Sequence, residues 1–338
     1  MADLVLYLGI TAIGYFLGSR IRDKKEKLGW TGAVQNVAIT ALVLLMGARM
    51  GANREVTDNL RTIGITAFFM TVAIMVCSIG AIFIVRKLLG IDRYGRLVCS
   101  RPQEKDSDEN ISMAVHESLH QIEEDEKKQG VNTMTVIILV SVIIGMLAGY
   151  FVVRRVFDSN MDTFDYIAAL GIKIGLCLLL VFVGIDLGIE GTVVKNFKAV
   201  GLRILAIPAA VAIGTLLASF VMSFFTELTT REAMAVGAGF GWYSLAPGII
   251  MEAGHMTASA VCFLHNVMRE LFAILFIPAV AKNIGYVETV GMPGSAAMDV
   301  CCLPIVEKAT RSDIAVYSFI SGAVLSTLVP ILVPVIIG

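Results

Sequence analysis

The chain has 338 residues, 57% of them hydrophobic and 16% charged, with a formal net charge of −1 and a mean hydropathy of +0.79. A soluble domain needs more polar cover than this, so a globular fold in water is excluded, and near-zero net charge gives no electrostatic footprint for nucleic acid. Apolar runs of about 20 residues recur along nearly the whole chain, which fits spanning helices and not the short alternating segments of a membrane barrel.

The fold class is therefore all-α, a polytopic helical membrane protein. Its first apolar run, Leu4 to Leu17, has its cations after it, at Arg20, Arg22, Lys24, Lys25 and Lys27. That order is the reverse of a signal peptide, so the run is expected to stay as the first spanning helix. Basic loops choose the cytoplasmic side, which puts Arg20 to Lys27 inside. Trp30 to Met50 then crosses outward, Ile63 to Leu89 returns, and Arg86, Lys87, Arg93, Arg96 and Arg101 keep the loop to about Gly130 inside. Val131 to Val153 goes out, Tyr166 to Leu187 comes back to an inside loop marked by Lys195, Lys198 and Arg203, and Leu202 to Phe225 exits.

Two stretches resemble each other. LLMGARMGANREVTDNLRTIGI, from Leu44, aligns with VFVGIDLGIEGTVVKNFKAVGL, from Val181, through Gly47/Gly184, Gly51/Gly188, Asn59/Asn196 and Gly64/Gly201. An Ile-Gly-x-x-x-Gly helix precedes each, at Ile13 to Gly18 and Ile144 to Gly149. A unit of three helices is odd, so its two copies run in opposite directions across the membrane, a transporter signature. The organisation expected is a first repeat at 1–91, a cytoplasmic loop at 92–130 with an amphipathic helix, a second, inverted repeat at 131–225, and a C-terminal membrane region at 232–338 that holds the substrate site.

That last region contains two interrupted segments, GAGFGWYSLAPG from Gly237 and GMPGSAAMDVCCLP from Gly291, each followed by an apolar helix. If both are re-entrant there are about eight full crossings, and if both cross there are about ten; either way both termini fall outside the cell. In the second segment, Pro293 and Gly294 precede Ser295, a natural N-cap, and Pro304 disfavours helix at Leu303, leaving a half-helix that carries Asp299.

A charge at the centre of a membrane helix costs roughly 2.5 to 3.5 kcal/mol, so intramembrane ionisable residues are functional candidates by default. Asn266 and Glu270 are four residues apart on one helix face, with His265 and Arg269 on the adjoining stripe. Glu270 and Asp299 are candidate cation or proton sites, and Arg269 a partner for a carboxylate. Asp186 occupies the repeat position held by Arg49. Trp242, Tyr243 and Ser244, set between glycines, read either as interface anchors or as a pocket wall, where a cation on an aromatic face gains about 0.5 to 2 kcal/mol. The cysteines show no metal or disulfide spacing and are expected to be thiols. His116, Glu117 and His120 form HESLH, a formal match to a zinc motif, but in a short loop without a core to shape a catalytic cavity. No cofactor or metal is expected.

GFGWYSL at Gly239 to Leu245, Arg269-Glu270-Leu271, Met298-Asp299 with Leu303-Pro304 nearby, Met46-Gly47 and VGIDL at Val183 to Leu187 together resemble the LysO-type lysine exporter family. The resemblance covers most of the chain outside the Asp92 to Gly130 loop. It departs at Ala246-Pro247, where Ser-Gly is usual, and at Ala296-Ala297, where Thr-Ser is usual. The resemblance implies a bacterial inner-membrane exporter of L-lysine and its toxic analogues, not an enzyme, driven by exchange for a cation such as a proton. Its expected partners are the cationic amino acid, the coupling cation and membrane lipid, with a homo-oligomer as an option. The alternatives are a sodium/proton antiporter that carries no amino acid and, from a different class, a membrane-bound metalloenzyme using HESLH.

Overall fold

The computed structural model describes residues 2–21, 30–95, 133–157, 160–190, 202–299 and 301–338. Long helices dominate: α1 (Ala2–Ile21), α2 (Trp30–Ala52), α3 (Leu60–Leu88), α4 (Thr133–Ala148), α5 (Met161–Glu190) and α6 (Leu202–Met222). After them come two short helices, α7 (Thr230–Ala238) and α8 (Ala246–Glu252), the long α9 (Met256–Asn283), another short helix α10 (Leu303–Ala309), and α11 (Ser312–Ile337). α4 continues through a π turn, Gly149–Val153, to Val156.

Among the described residues seven helices are long and apolar enough to cross a membrane, and α1 is a further apolar helix of 20 residues. Large apolar side chains such as Phe16, Phe69, Val76, Ile84 and Leu275 are exposed along these helices. In a bilayer those faces meet lipid, while the backbone polar groups are satisfied within each helix. The protein is a multi-pass membrane protein.

Glycines set how the first six helices pack. Gly14 and Gly18 of α1 lie against Gly184 and Gly188 of α5, and Gly47 and Gly51 of α2 lie against Gly145 and Gly149 of α4. A Cβ on Gly47 would sit 2.6 Å from the Val142 carbonyl oxygen, so only glycine permits this approach. In both pairs the residue numbers rise together, so the helices are parallel. α2 and α5 instead meet with Leu45 over Gly171 and Leu42 over Gly175, which makes them antiparallel.

These directions are the ones an inverted repeat requires. With α1 equivalent to α4, α2 to α5 and α3 to α6, the α1–α5 contact maps onto α4–α2, while α2–α5 and α3–α6 map onto themselves. Because α2 runs with α4 and against α5, and α5 runs with α1, the equivalent helices α1 and α4 run in opposite directions. Of the aligned glycines, Gly47 with Gly184 and Gly51 with Gly188 lie at these crossings, whereas Gly64 has no atom within 4 Å of its would-be Cβ.

Candidate functional site

Each of the two interrupted segments turns back toward the end of the bundle at which it begins, the first at one end and the second at the other. In the first hairpin, α7 begins with a capping box between Thr229 and Glu232 and ends at Gly239, and α8 returns with Pro247 in its first turn. Its two ends are tied by His255 Nδ1 and Glu232 Oε1 at 2.8 Å, on the face where Thr257 donates to Glu55. Burial works to raise the Glu232 carboxyl, but hydrogen bonds from Thr229 and His255 outweigh it and hold the group below the usual carboxylate range.

The second hairpin is irregular: two 3-10 turns, Val287–Gly291 and Gly294–Met298, then a break at Asp299, then α10. A Cβ on Gly95 would lie 2.5 Å from Ile314 Cδ1 and 3.5 Å from Val287 Cγ2, so the start of the hairpin and the start of α11 are on one face. That face is the end of α3, opposite the Glu55 end.

The hairpin tips meet inside the bundle. The Ser295 N–H donates to the Phe240 carbonyl at 2.7 Å, and a Cβ on Gly241 would lie 2.6 Å from the Pro293 oxygen. Phe240 is fully buried with φ of 46°, a conformation that costs a non-glycine residue about 1 to 3 kcal/mol and clusters at functional sites.

One helix carries both tips. On α9, Asn266 Oδ1 accepts from the Gly241 N–H at 2.9 Å, holding the first hairpin. One turn later Arg269 donates from Nε to the Met292 carbonyl at 2.9 Å and from Nη2 to the Gly291 carbonyl at 3.1 Å, holding the second. His265 ties α9 to α3. The Thr71 hydroxyl gives its hydrogen to Ala67 O at 2.6 Å, so it accepts from His265 Nδ1 at 2.9 Å. Each of these side chains is fully buried.

Beside the tips lies an acidic cluster. Glu270, only 2% exposed, is within electrostatic reach of Asp299 and is hydrogen-bonded by the Cys301 thiol. The Tyr243 phenol is in reach of both carboxylates and of Cys301 and Cys302. Asp299 is exposed to solvent at the edge of this cluster. Neither acid forms an ion pair with a described basic residue, and Glu270 Oε2 is buried without a hydrogen-bond partner among them. Arg269, next in sequence to Glu270, is turned to the second hairpin.

The sequence-derived candidates divide accordingly. Glu270, Asp299 and Tyr243 come together. Trp242 and Ser244 are on the first tip, joined by Trp242 Nε1 donating to Ser244 Oγ at 3.0 Å. Asn266 and Arg269 are anchors of backbone. Asp186 is a residue of α5 whose side chain lies outside the described residues, as does the whole HESLH motif. The expected N-cap at Ser295 is corrected: Pro293 occupies the cap of a 3-10 turn without a side-chain bond, and the Ser295 N–H is used by Phe240. Asp299 is in extended backbone beyond that turn, not on a half-helix. Pro304 does not end a helix but sits in the first turn of α10, where its missing N–H costs nothing. Cys301 and Cys302 were missed, because cysteine spacing was read for metals and disulfides and not for a thiol that donates to an acid. The described cysteines are thiols, as expected.

An apolar groove of about 570 Å³ between α3 and α6, lined by Ile65, Phe69, Val76, Met222 and Phe225, contains none of these residues. Among the described residues no group of His, Cys, Asp or Glu could hold a metal ion.

The sequence profile of the family described as lysine exporter LysO matches residues 112–337. The chain belongs to the lysine exporter LysO family. Among its relatives, the lysine exporter LysO of Escherichia coli K12 is 30% identical over 158 residues, 47% of this chain and 52% of that protein. The putative lysine exporter of Haemophilus influenzae is 27% identical over 158 residues, 46% of this chain and 79% of that protein. The match thus spans about half the length of the E. coli relative. No solved structure matches the chain. The family match takes in both hairpins, α9 and every member of the acidic cluster.

Proposed function

We propose that this protein exports L-lysine and related cationic amino acids by exchange for a proton, with Glu270 and Asp299 receiving the ligand ammonium and the counter-proton in turn. The observation that carries the reading is the meeting of two carboxylates, without a described basic partner, beside the touching tips of two hairpins. Glu270 is buried, and an uncompensated buried charge is costly, so the pair favours a cation or a proton over standing empty and ionised. Membership of the lysine exporter family supports the substrate. In the orientation set by the basic loops, a bacterial inner membrane with both termini outside, the first hairpin opens outward and the second inward. Opening one and then the other gives alternating access to one site, as in transporters built from inverted repeats. Trp242, Tyr243 and Ser244 form the wall on the outward side.

The test is efflux of labelled lysine from proteoliposomes. Glu270→Gln and Asp299→Asn are each expected to slow it at least about tenfold, equivalent to about 1.4 kcal/mol. Wild-type efflux retained by both variants removes the role assignment. The same two acids would serve a sodium/proton antiporter, and proton flux that depends on added lysine separates the two readings.

A further inference from the structure

Resting on the reading of Glu270 and Asp299 as the cation site, we propose that the site recognises its ligand through two ammonium groups and not through a carboxylate, so that aliphatic primary diamines are a further class of substrate. Lysine carries two ammonium groups and one carboxylate. The cluster offers two carboxylates within electrostatic reach of each other, Glu270 buried and Asp299 open to solvent, and the buried Oε2 of Glu270 has no partner among the described residues. A dication compensates both acids. A monocation gives up the attraction to the second carboxylate, which weakens its binding.

Six backbone donors at the tips are, by contrast, already committed. The N–H groups of Phe240, Gly241, Trp242 and Tyr243 go to Gly237 O, Asn266 Oδ1, Gly239 O and Gly241 O, and those of Ser295 and Asp299 go to Phe240 O and Ala296 O. Arg269 gives Nε and Nη2 to the second hairpin, and Asp299 and Cys301 act on Glu270 where Arg269 does not. Nη1 of Arg269 is buried without a described partner, as is Nε2 of His265, and Arg269, which already holds the second hairpin, is the charged group near the tips that a carboxylate could use instead. Removing the carboxyl group from lysine therefore removes the part of the molecule for which the site has least provision.

The experiment uses the full chain in liposomes loaded with labelled lysine, challenged with cadaverine, which is lysine without its carboxyl group, with ε-aminocaproic acid, which keeps the carboxylate and one ammonium, and with pentylamine, which has one ammonium alone. Cadaverine is expected to compete with an inhibition constant within about tenfold of lysine itself, and the other two at least about tenfold more weakly than cadaverine. Labelled cadaverine is expected to cross in its turn. Lysine flux that cadaverine neither inhibits nor shares overturns the inference, leaves lysine export standing, and makes Arg269 Nη1 the carboxylate receptor. Flux of neither compound overturns both, whereas cadaverine flux without lysine flux sustains the inference and replaces lysine as the substrate.

Discussion

Arg269 and Glu270 are neighbours in sequence and both are buried, yet the fold gives them opposite tasks. Their side chains leave α9 about 100° apart, so one meets the second hairpin and the other faces Asp299. Five guanidinium donors in a rigid fork suit Arg269 to two successive carbonyls, and its third nitrogen is left over. A lysine ammonium on a flexible stem cannot hold both carbonyls in the same plane. Arg269→Lys is therefore expected to lower the maximal efflux rate at least about tenfold, with lysine and cadaverine affected alike. The comparison of the two substrates decides the role: loss of lysine flux with cadaverine flux preserved means that Arg269 binds a substrate carboxylate and is not an anchor. Sequence alone marked Arg269 and Asn266 as site residues because charge and amide in a membrane helix are rare. It could not tell a side chain that meets a ligand from one that satisfies the open backbone of a broken segment, since both needs are met by the same polar groups.

Each hairpin is also fastened at its base to a repeat helix, and the two fastenings differ in strength. Arg86 of α3 donates from Nε to Glu288 Oε1 at 2.6 Å and from Nη1 to Ile91 O at 3.1 Å, and Glu288 is fully buried. Arg49 of α2 reaches Glu252 at 3.3 Å and Asp165 at 3.6 Å, and Asp165 is half exposed. Breaking a fully buried pair leaves an uncompensated charge and costs about 3 to 5 kcal/mol. The Arg49–Glu252 pair is longer and 11% and 15% exposed, so solvent offsets part of its loss. Accordingly Arg86→Gln should lower the stability of the detergent-purified protein more than Arg49→Gln does, as read by thermal unfolding; equal losses would mean that the second hairpin is held no more firmly at its base than the first. Such pairs were illegible beforehand. Arg86 read as a loop charge that sets orientation, and Glu288 drew no notice, because their contact joins residues 202 positions apart. The elements themselves were legible from apolar length alone. Where the reading erred was at Pro304, since proline both ends helices and begins them, and only the direction of the chain beyond it tells which.

Over the whole molecule, the internal similarity was readable because four of the glycines that align the two stretches, Gly47, Gly51, Gly184 and Gly188, are also ones at which helices cross. Packing demands glycine there, so symmetry in the fold and similarity in the sequence have one physical cause. The same crossings make a prediction with two signs. In Gly47→Ala the new methyl falls 2.6 Å from Val142 O, and in its counterpart Gly184→Ala it falls 2.9 Å from Tyr15 N and closer still to Thr11 O. Neither pair of backbones can give way without separating the helices, so each substitution is expected to cost about 1 to 3 kcal/mol, and the two costs should match because the contacts are equivalent. Gly80 lies within α3 with no atom within 4 Å of its would-be Cβ. There the helix preference of alanine over glycine acts alone, and Gly80→Ala should stabilise by up to about 1 kcal/mol. Thermal unfolding of the three variants in one detergent gives the comparison. If Gly184→Ala is tolerated while Gly47→Ala is not, the two repeats are not energetic equivalents, and the hairpins would be moving against an asymmetric frame.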